Sequence, residues 1–565
     1  MVRSGGIVQA IGSFEREKKK KKEGPTMTMI KGVVQSGGAS GDVIPQRRKT
    51  VVLRTTTSNN SQVGRTTTDD YGVFELSYPS SAIDGTYYLQ AEISDDAGGQ
   101  VLLMTVLDSP LPAQVTINEL TTVAAAYSGA QFLEPDASLA GEPLPMNIVS
   151  GMSANIVDVA TGNSSKLMTS SPNGGETIAL GVTQSLANFL ASAVRDPGVY
   201  LDSLLELATP EGKPQPKNTI AALANIAREP ANNAGGIYTQ SQAASCYGSP
   251  VQQQPVAWTI VVKVNNSGDV ARMFGGPANV AFDWRGRAWI PNNVIQGGPD
   301  SAPFSMVLDR AGHPARDDSG KLMTPFEGGG LLGAGFGVAV DGQQRIWIGD
   351  FGWTKDTLPV GSASLFAPNA SALSPAPNGF TAGVNRVQQI AVDGRSGNVW
   401  LASYGNNAVV VYPGAGKAVI NPDLYYSYAP NDPNFQPFGI AIADDQTAWV
   451  TNSNADASSV LHLRLTGSRV EKISETPAGR VLKGIVIDSN KNVWAASGGN
   501  DTVYRFNEHG DLLGAYGGGG IEGPWGICLD GNDNVWVANF GPLAACSIFE
   551  GRLSQLAGTK QSTPG

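Results

Sequence analysis

Histidine and cysteine are scarce in this chain, three of each in 565 residues. Three thiols cannot build a disulfide framework, and an odd count leaves at least one free unless two chains pair. Three imidazoles, scattered at His313, His462 and His509 with no Glu-x-His pairing, offer no base for imidazole acid–base chemistry. Charge is thin as well: charged residues make up 16 % of the chain, and 39 Lys and Arg against 49 Asp and Glu give a net charge of -10. With no domain-sized basic face, nucleic acid is excluded as the expected partner. The one basic run, Lys18 to Lys22 in "FEREKKKKKEGP", is bracketed by acids and reads as a solvated tail. Long apolar runs are missing too. "VLLMTVL" at 101–107 has the length of a strand, and neither a signal peptide nor a transmembrane segment is legible.

What the chain does have is turn formers, with 69 Gly and 35 Pro, and a recurring phrase. "FGVAVDGQQRIWIGDFG", "LKGIVIDSNKNVWAASGG" and "GPWGICLDGNDNVWVANFG" share one parse: a Gly or Pro break, a short apolar run, an Asp-led polar turn and a second apolar run containing Trp. That is a β-hairpin. The Trp recurs at 289, 347, 400, 449, 494 and 536, spacings of 58, 53, 49, 45 and 42 residues. Between the hairpins, stretches such as "TVYRFNEHGDLLGAYG" and "SSVLHLRLTGSRVEKIS" supply two more strands. A four-stranded unit repeated six times at this period predicts a six-bladed β-propeller over 257–557, with the Trp residues filling the wedges between blades. In the last unit, Cys528 falls on the first strand and Cys546 on a later one. Two strands apart they would be roughly 9–10 Å from each other, too far to bond.

Ahead of the repeats, "IKGVVQSGG", "KTVVLRTTT", "TTTDDYGVFELSYP" and "TYYLQAEISDD" read as short alternating strands of a β-sandwich over 29–112. Residues 113–245 change to helical periodicity. Leu120, Val123, Ala124, Tyr127 and Phe132 recur at helical spacing, and later segments end at prolines, giving four to six short helices. Residues 246–256 read as a linker, and 1–28 and 558–565 as tails. "AWTIVVKVNN" reads as a strand that could pair near "CSIFEGRL" and close the ring. The fold class is therefore mainly β and multidomain: a sandwich, a short helical connector and a C-terminal propeller.

"TTTDDYGVFEL", with Thr68, Asp69, Gly72 and Phe74 in place, resembles the hairpin of carboxypeptidase-regulatory-like, prealbumin-type modules. That resemblance implies a non-catalytic spacer on an exported protein. The six hairpins, through "GPANVAFD", "GFGVAVD", "VQQIAVD", "PFGIAIA", "LKGIVID" and "PWGICLD", resemble the NHL, gluconolactonase/regucalcin and virginiamycin B lyase group of propellers. Enzymes of that group place their chemistry at the break before the innermost strand. His commonly stands there in the lyases, and Asn or Asp in the lactonases with a divalent metal nearby. Five residues before each Asp position stand Ala278, Phe336, Gln388, Phe438, Lys483 and Trp525, none of them His, Asp or Glu. Asn279 is the single lactonase-type ligand next to this set.

The second hairpin strands return to the same face and end at Asn292, Asp350, Ser403, Asn452, Ser497 and Asn539. One carboxylate among six suits at most a weak Mg²⁺ or Ca²⁺ site at Asp350, so no cofactor is expected. "DGNDNVW" lacks the Gly and Glu of a calcium loop, and "GAYGGGGIEG" lacks the Lys and helix of a phosphate loop. What remains at the mouth is Asn279, Phe336, Asp350, Gln388, Phe438, Asn452, Lys483, Trp525 and Asn539, a set suited to binding a small molecule, glycan or protein. Two readings stay open. One is an exported or cell-surface, non-catalytic binding propeller; the other is a metal-dependent enzyme like the streptogramin lyases or gluconolactonases, using Asp350 and Asn279. A filled, dry channel would make the aromatics mere core.

Overall fold

The computed structural model describes residues 27–556 apart from 39–41, 58, 80–84, 97–98, 295–300, 353–360, 418–420, 422, 532 and 542–551. The lysine run and Cys546 lie outside the described residues; Cys528 is a free thiol. Two four-stranded sheets open the chain. One joins Ile44–Pro45, Met27–Ser36 and Val73–Pro79, with Gln114–Ile117 parallel to the first strand; the other runs Gln62–Thr67, Thr50–Thr55, Tyr87–Asp96, Gly99–Leu107. The Thr68 to Phe74 hairpin shows why those residue types stand there. Asp69 Oδ1 accepts the N–H groups of Tyr71 and Val73, and the Thr68 hydroxyl donates to Gln46 O. Gly72 sits at φ 76°, where a Cβ would meet Val34 O at 2.5 Å. Phe74 is buried beneath it.

Seven helices follow between Glu119 and Ser241, one of them a single turn. Asn118 starts the first with a reciprocal capping box to Thr121. The helices and both sheets bury one continuous apolar core from Ile30 to Trp258. The stretch 246–256 carries no regular element, yet Asn188 clasps both the N–H and the carbonyl of Tyr247, whose hydroxyl donates to the buried Glu119 carboxylate at 2.8 Å.

The strand expected in "AWTIVVKVNN" is absent: residues 259–265 have no regular structure. Trp258 turns into the helical core, its indole donating to Ala234 O, and the Asn173 side chain takes both the N–H and the carbonyl of Lys263. A side-chain amide therefore occupies the hydrogen-bonding edge that a neighbouring strand would need. The expected partner "CSIFEGRL", 546–553, falls mostly on residues outside those described.

From residue 281 the chain forms six antiparallel sheets in succession, each opening on the innermost strand. These inner strands are Ala281–Phe282, Ala334–Val340, Val387–Val392, Pro437–Ile442, Leu482–Ile487 and Pro524–Leu529. Blades one, three, four and five have four strands; blades two and six have three among the described residues. The protein is thus a mainly β, multidomain molecule ending in a six-bladed propeller.

The repeated phrase has a hydrogen-bond circuit behind it. Asp341 Oδ1 accepts the N–H groups of Gln343 and Arg345, closing the turn, while Oδ2 accepts the Trp347 indole at 3.1 Å and Arg345 Nε at 2.7 Å. Asp283, Asp488 and Asp530 hold Trp289, Trp494 and Trp536 in the same way, each at 3.0 Å. Blade three has one more residue between Asp393 and Trp400, and the Trp400 indole nitrogen is buried without a partner. Blade four has Ala443 in the Asp position, and His462 stacks on Trp449 with centroids 4.0 Å apart. The rings of Trp289, Trp347, Trp400, Trp449 and Trp494 are buried against residues of the following blade, such as Val338, Val387, Ile440, Leu482 and Val535 respectively. Trp536, on the last blade, is half-buried.

Candidate functional site

Five of the six inner strands carry a β-bulge at the same place. In blade four Pro437 pairs with Asn452 and Ile440 with Val450, so Phe438 and Gly439 face Thr451 alone. The same irregularity lies between Ala334 and Val338, Val387 and Ile390, Leu482 and Ile485, and Pro524 and Gly526. Phe336, Gln388, Phe438, Lys483 and Trp525 are the bulged residues. An extra residue bends the strand and re-aims its side chain. Glycine completes the device: a Cβ on Gly439 would stand 2.3 Å from Lys483 O and one on Gly337 2.5 Å from Ile390 N, so adjacent inner strands approach as closely as the backbone allows. Thr451 locks two bulges together, its hydroxyl accepting from Gly439 N at 2.7 Å and donating to Lys483 O at 2.8 Å. Nothing in the sequence beyond its place one residue before Asn452 singles Thr451 out.

The re-aimed residues of the even-numbered blades meet on the axis. Ring centroids are 5.3 Å apart for Phe336 and Phe438, 5.8 Å for Phe336 and Trp525, and 6.0 Å for Phe438 and Trp525. The three rings therefore form one contiguous aromatic cluster. Phe438 is buried, while Phe336 and Trp525 keep part of their surface open. Lys483 lies on this platform, its Nζ 4.1 Å from the Phe438 centroid and 4.2 Å from that of Trp525. The side chain is 8 % exposed. Burial alone pulls its pKa down to about 7, since no carboxylate among the described residues stands beside it. The Trp525 indole nitrogen is buried with no hydrogen-bond partner among the described residues. Asn279 is exposed at the edge, donating to Phe336 O at 3.1 Å, and Gln388 is buried in its own bulge.

Asp350, Asn452 and Asn539 do not join this cluster. They are buried at the ends of the second strands, where their side chains turn back onto the chain entering the inner strand. Asn452 Oδ1 accepts Gln436 N at 2.8 Å and Asn539 Oδ1 accepts Glu522 N at 3.0 Å; Asn292, Ser403 and Ser497 do the same for Gly275, Asn385 and Arg480. These six positions close the blade hairpins at the mouth. Asp350 Oδ2 accepts the hydroxyls of Ser364 at 2.6 Å and Ser362 at 3.1 Å, and burial raises its pKa to about 8, so the carboxyl is protonated at neutral pH.

These residues do not fit the divalent ion that the family resemblance implies. A hard cation wants several converging oxygens, and here the one carboxyl is neutral and already engaged. Among the described residues no three His, Cys, Asp or Glu side chains stand together as metal ligands. His313 and His509 lie in turns on exposed edges, and His462 is on a third strand, bonded to Thr447 at 2.6 Å, so no imidazole reaches the axis. The platform can stack a flat ligand, hold it beside an amine and offer one indole N–H.

No family model matches the sequence, and no curated protein does. Among solved structures, virginiamycin B lyase from Staphylococcus aureus aligns at 13 % identity and TM-score 0.37, covering 53 % of this chain and 88 % of its own. A gluconolactonase from Xanthomonas campestris aligns at 16 % identity and TM-score 0.30 over 50 % and 88 %. A luciferin-regenerating enzyme aligns at 11 % identity and TM-score 0.33 over 51 % and 92 %. This chain is similar to these proteins over about half of its length, and its fold rests on its own six sheets.

Proposed function

We propose that the protein is a ligand-binding propeller whose site is the aromatic platform of Phe336, Phe438 and Trp525 with Lys483 at its centre, and that it binds without turning its ligand over. The observation that carries the reading is the cluster itself. Three aromatic side chains from alternate blades are re-aimed by bulges to one point, partly open, beside an amine with no acidic partner among the described residues. Aromatic faces with a few directed polar groups are the ordinary make-up of a small-molecule site. The neutral, hydroxyl-bound Asp350 argues against a metal-dependent lyase or lactonase reaction at the same mouth. An exported or cell-surface setting fits the prealbumin-type hairpin at Thr68 to Phe74, and fractionation of the native source would test it.

The test is a thermal-shift screen of the full chain against small carbonyl compounds, glycans and peptides. Hits are then measured on Phe438→Ala and Trp525→Ala. A ligand at about 100 times its Kd stabilises by roughly 2.7 kcal/mol. Both variants are expected to lose that shift while staying folded; a hit whose affinity survives both would remove the site from the platform.

A further inference from the structure

Lys483 is a buried amine whose surroundings answer none of its needs as a cation except through ring faces. Phe438 and Trp525 flank it, Phe336 packs on both of those rings, and no carboxylate pairs with it among the described residues. Ring faces attract an ammonium but accept no hydrogen bond of ordinary strength. Beside it stands a second unfinished group, the Trp525 indole N–H, buried and without an acceptor among the described residues. A polar group left unmade in this way costs stability, and a ligand that accepts from it would recover that cost.

We infer that Lys483 condenses reversibly with a small oxo acid held on the aromatic platform, the carboxylate of the ligand accepting the Trp525 indole N–H. The inference rests on the binding reading above and gives the ligand a chemical class. The Nζ lone pair adds to the carbonyl carbon, the carbonyl oxygen leaves as water with the two amine protons, and a C=N bond remains; water reverses the step. No oxidant or reductant is consumed. The dry aromatic walls keep the amine in the neutral form that such addition needs, as in other carbonyl-trapping lysines. Charge balance selects the acid. A protonated imine on this platform would find no carboxylate among the described residues, so the ligand has to bring its own anion. A simple aldehyde would leave both the iminium and the indole N–H without partners.

The experiment treats the folded full chain with glyoxylate and cyanoborohydride at pH 7, then maps modified lysines by peptide mass. Reduction of the imine leaves a carboxymethyl group on the lysine. Lys483 should be labelled at least about tenfold faster than the exposed Lys31 and Lys491, because burial on the platform favours its neutral, nucleophilic form. Trp525→Phe keeps a ring and removes the N–H. It should slow glyoxylate labelling of Lys483 about tenfold more than it slows acetaldehyde labelling. Labelling of Lys483 no faster than that of the surface lysines would overturn the inference. If saturation-transfer NMR then showed glyoxylate touching the wild-type chain but not Phe438→Ala, condensation would fail and the binding reading would stand. Equal loss of glyoxylate and acetaldehyde labelling in Trp525→Phe would overturn the role given to the ligand's carboxylate.

Discussion

Replacing Asp350 with Asn should stabilise the propeller, and by an amount that grows with pH. Asp350 is fully buried at the end of the second strand of blade two, with Oδ2 taking two seryl hydroxyls and Oδ1 facing Leu332 N at 3.4 Å. Its pKa is about 8 in the fold, against roughly 3.9 in the unfolded chain. Between those values the folded protein holds a proton that the unfolded chain has released, so the contribution of this group to stability is whole below about pH 4, falls as pH rises, and levels off above pH 8. Each pH unit in that window is worth about 1.4 kcal/mol, which caps the loss at about 6 kcal/mol; relaxation around the carboxyl should leave about 2 to 3. Asn keeps the shape and the acceptor and never ionises, and blades one, four and six already have Asn there. Urea unfolding of the full chain, followed by tryptophan fluorescence, should show Asp350→Asn more stable by that margin at pH 8 and within about 1 kcal/mol of wild type at pH 4.5. A variant less stable than wild type at pH 8 would mean that the ionised carboxylate has a partner in the fold, and the protonated-carboxyl argument would be wrong.

Asp341→Ala removes the acceptor for the Trp347 indole, for Arg345 and for two turn N–H groups, and should cost about 3 to 4 kcal/mol in the same unfolding assay. Trp400→Phe discards an indole nitrogen that is already unpartnered, so it should cost about 1 kcal/mol less than Trp347→Phe, which breaks a made bond; equal losses would show that the indole bonds contribute nothing. Gly439→Ala puts a methyl group against Lys483 O and should destabilise by about 2 to 3 kcal/mol while displacing the ring of Phe438, which the binding screen would register as lost affinity.

The sequence placed the bulged residues better than it explained their surroundings. Counting five residues back from each hairpin Asp found Phe336, Gln388, Phe438, Lys483 and Trp525, because a bulge has a fixed place in a repeated hairpin and the repeat can be read in one dimension. The same arithmetic found Asp350, Asn452 and Asn539 at the strand ends but could not show which way they turn. A side chain at a mouth can face a ligand or cap its own backbone, and that choice depends on the approaching chain 16 to 18 residues earlier. The Asp-led turn was visible in the phrase, whereas its second job, holding the indole six residues on, needs three-dimensional reach. Alternation in "AWTIVVKVNN" promised a strand, but alternation specifies only a surface. Trp258 found that surface in the helical core, and Asn173 took the backbone edge.

The tryptophan clasp gives the ring of blades a direction. The indoles of Trp289, Trp347 and Trp494 are each tied by their N–H to the turn of their own blade and offer a face to the next, so these wedges belong structurally to the preceding sheet and energetically to the following one. Damage should therefore travel one way around the circle. Loss of the Trp347 ring would leave its own hairpin paired and loosen blade three, and amide exchange would quicken downstream of the lesion before it did so upstream.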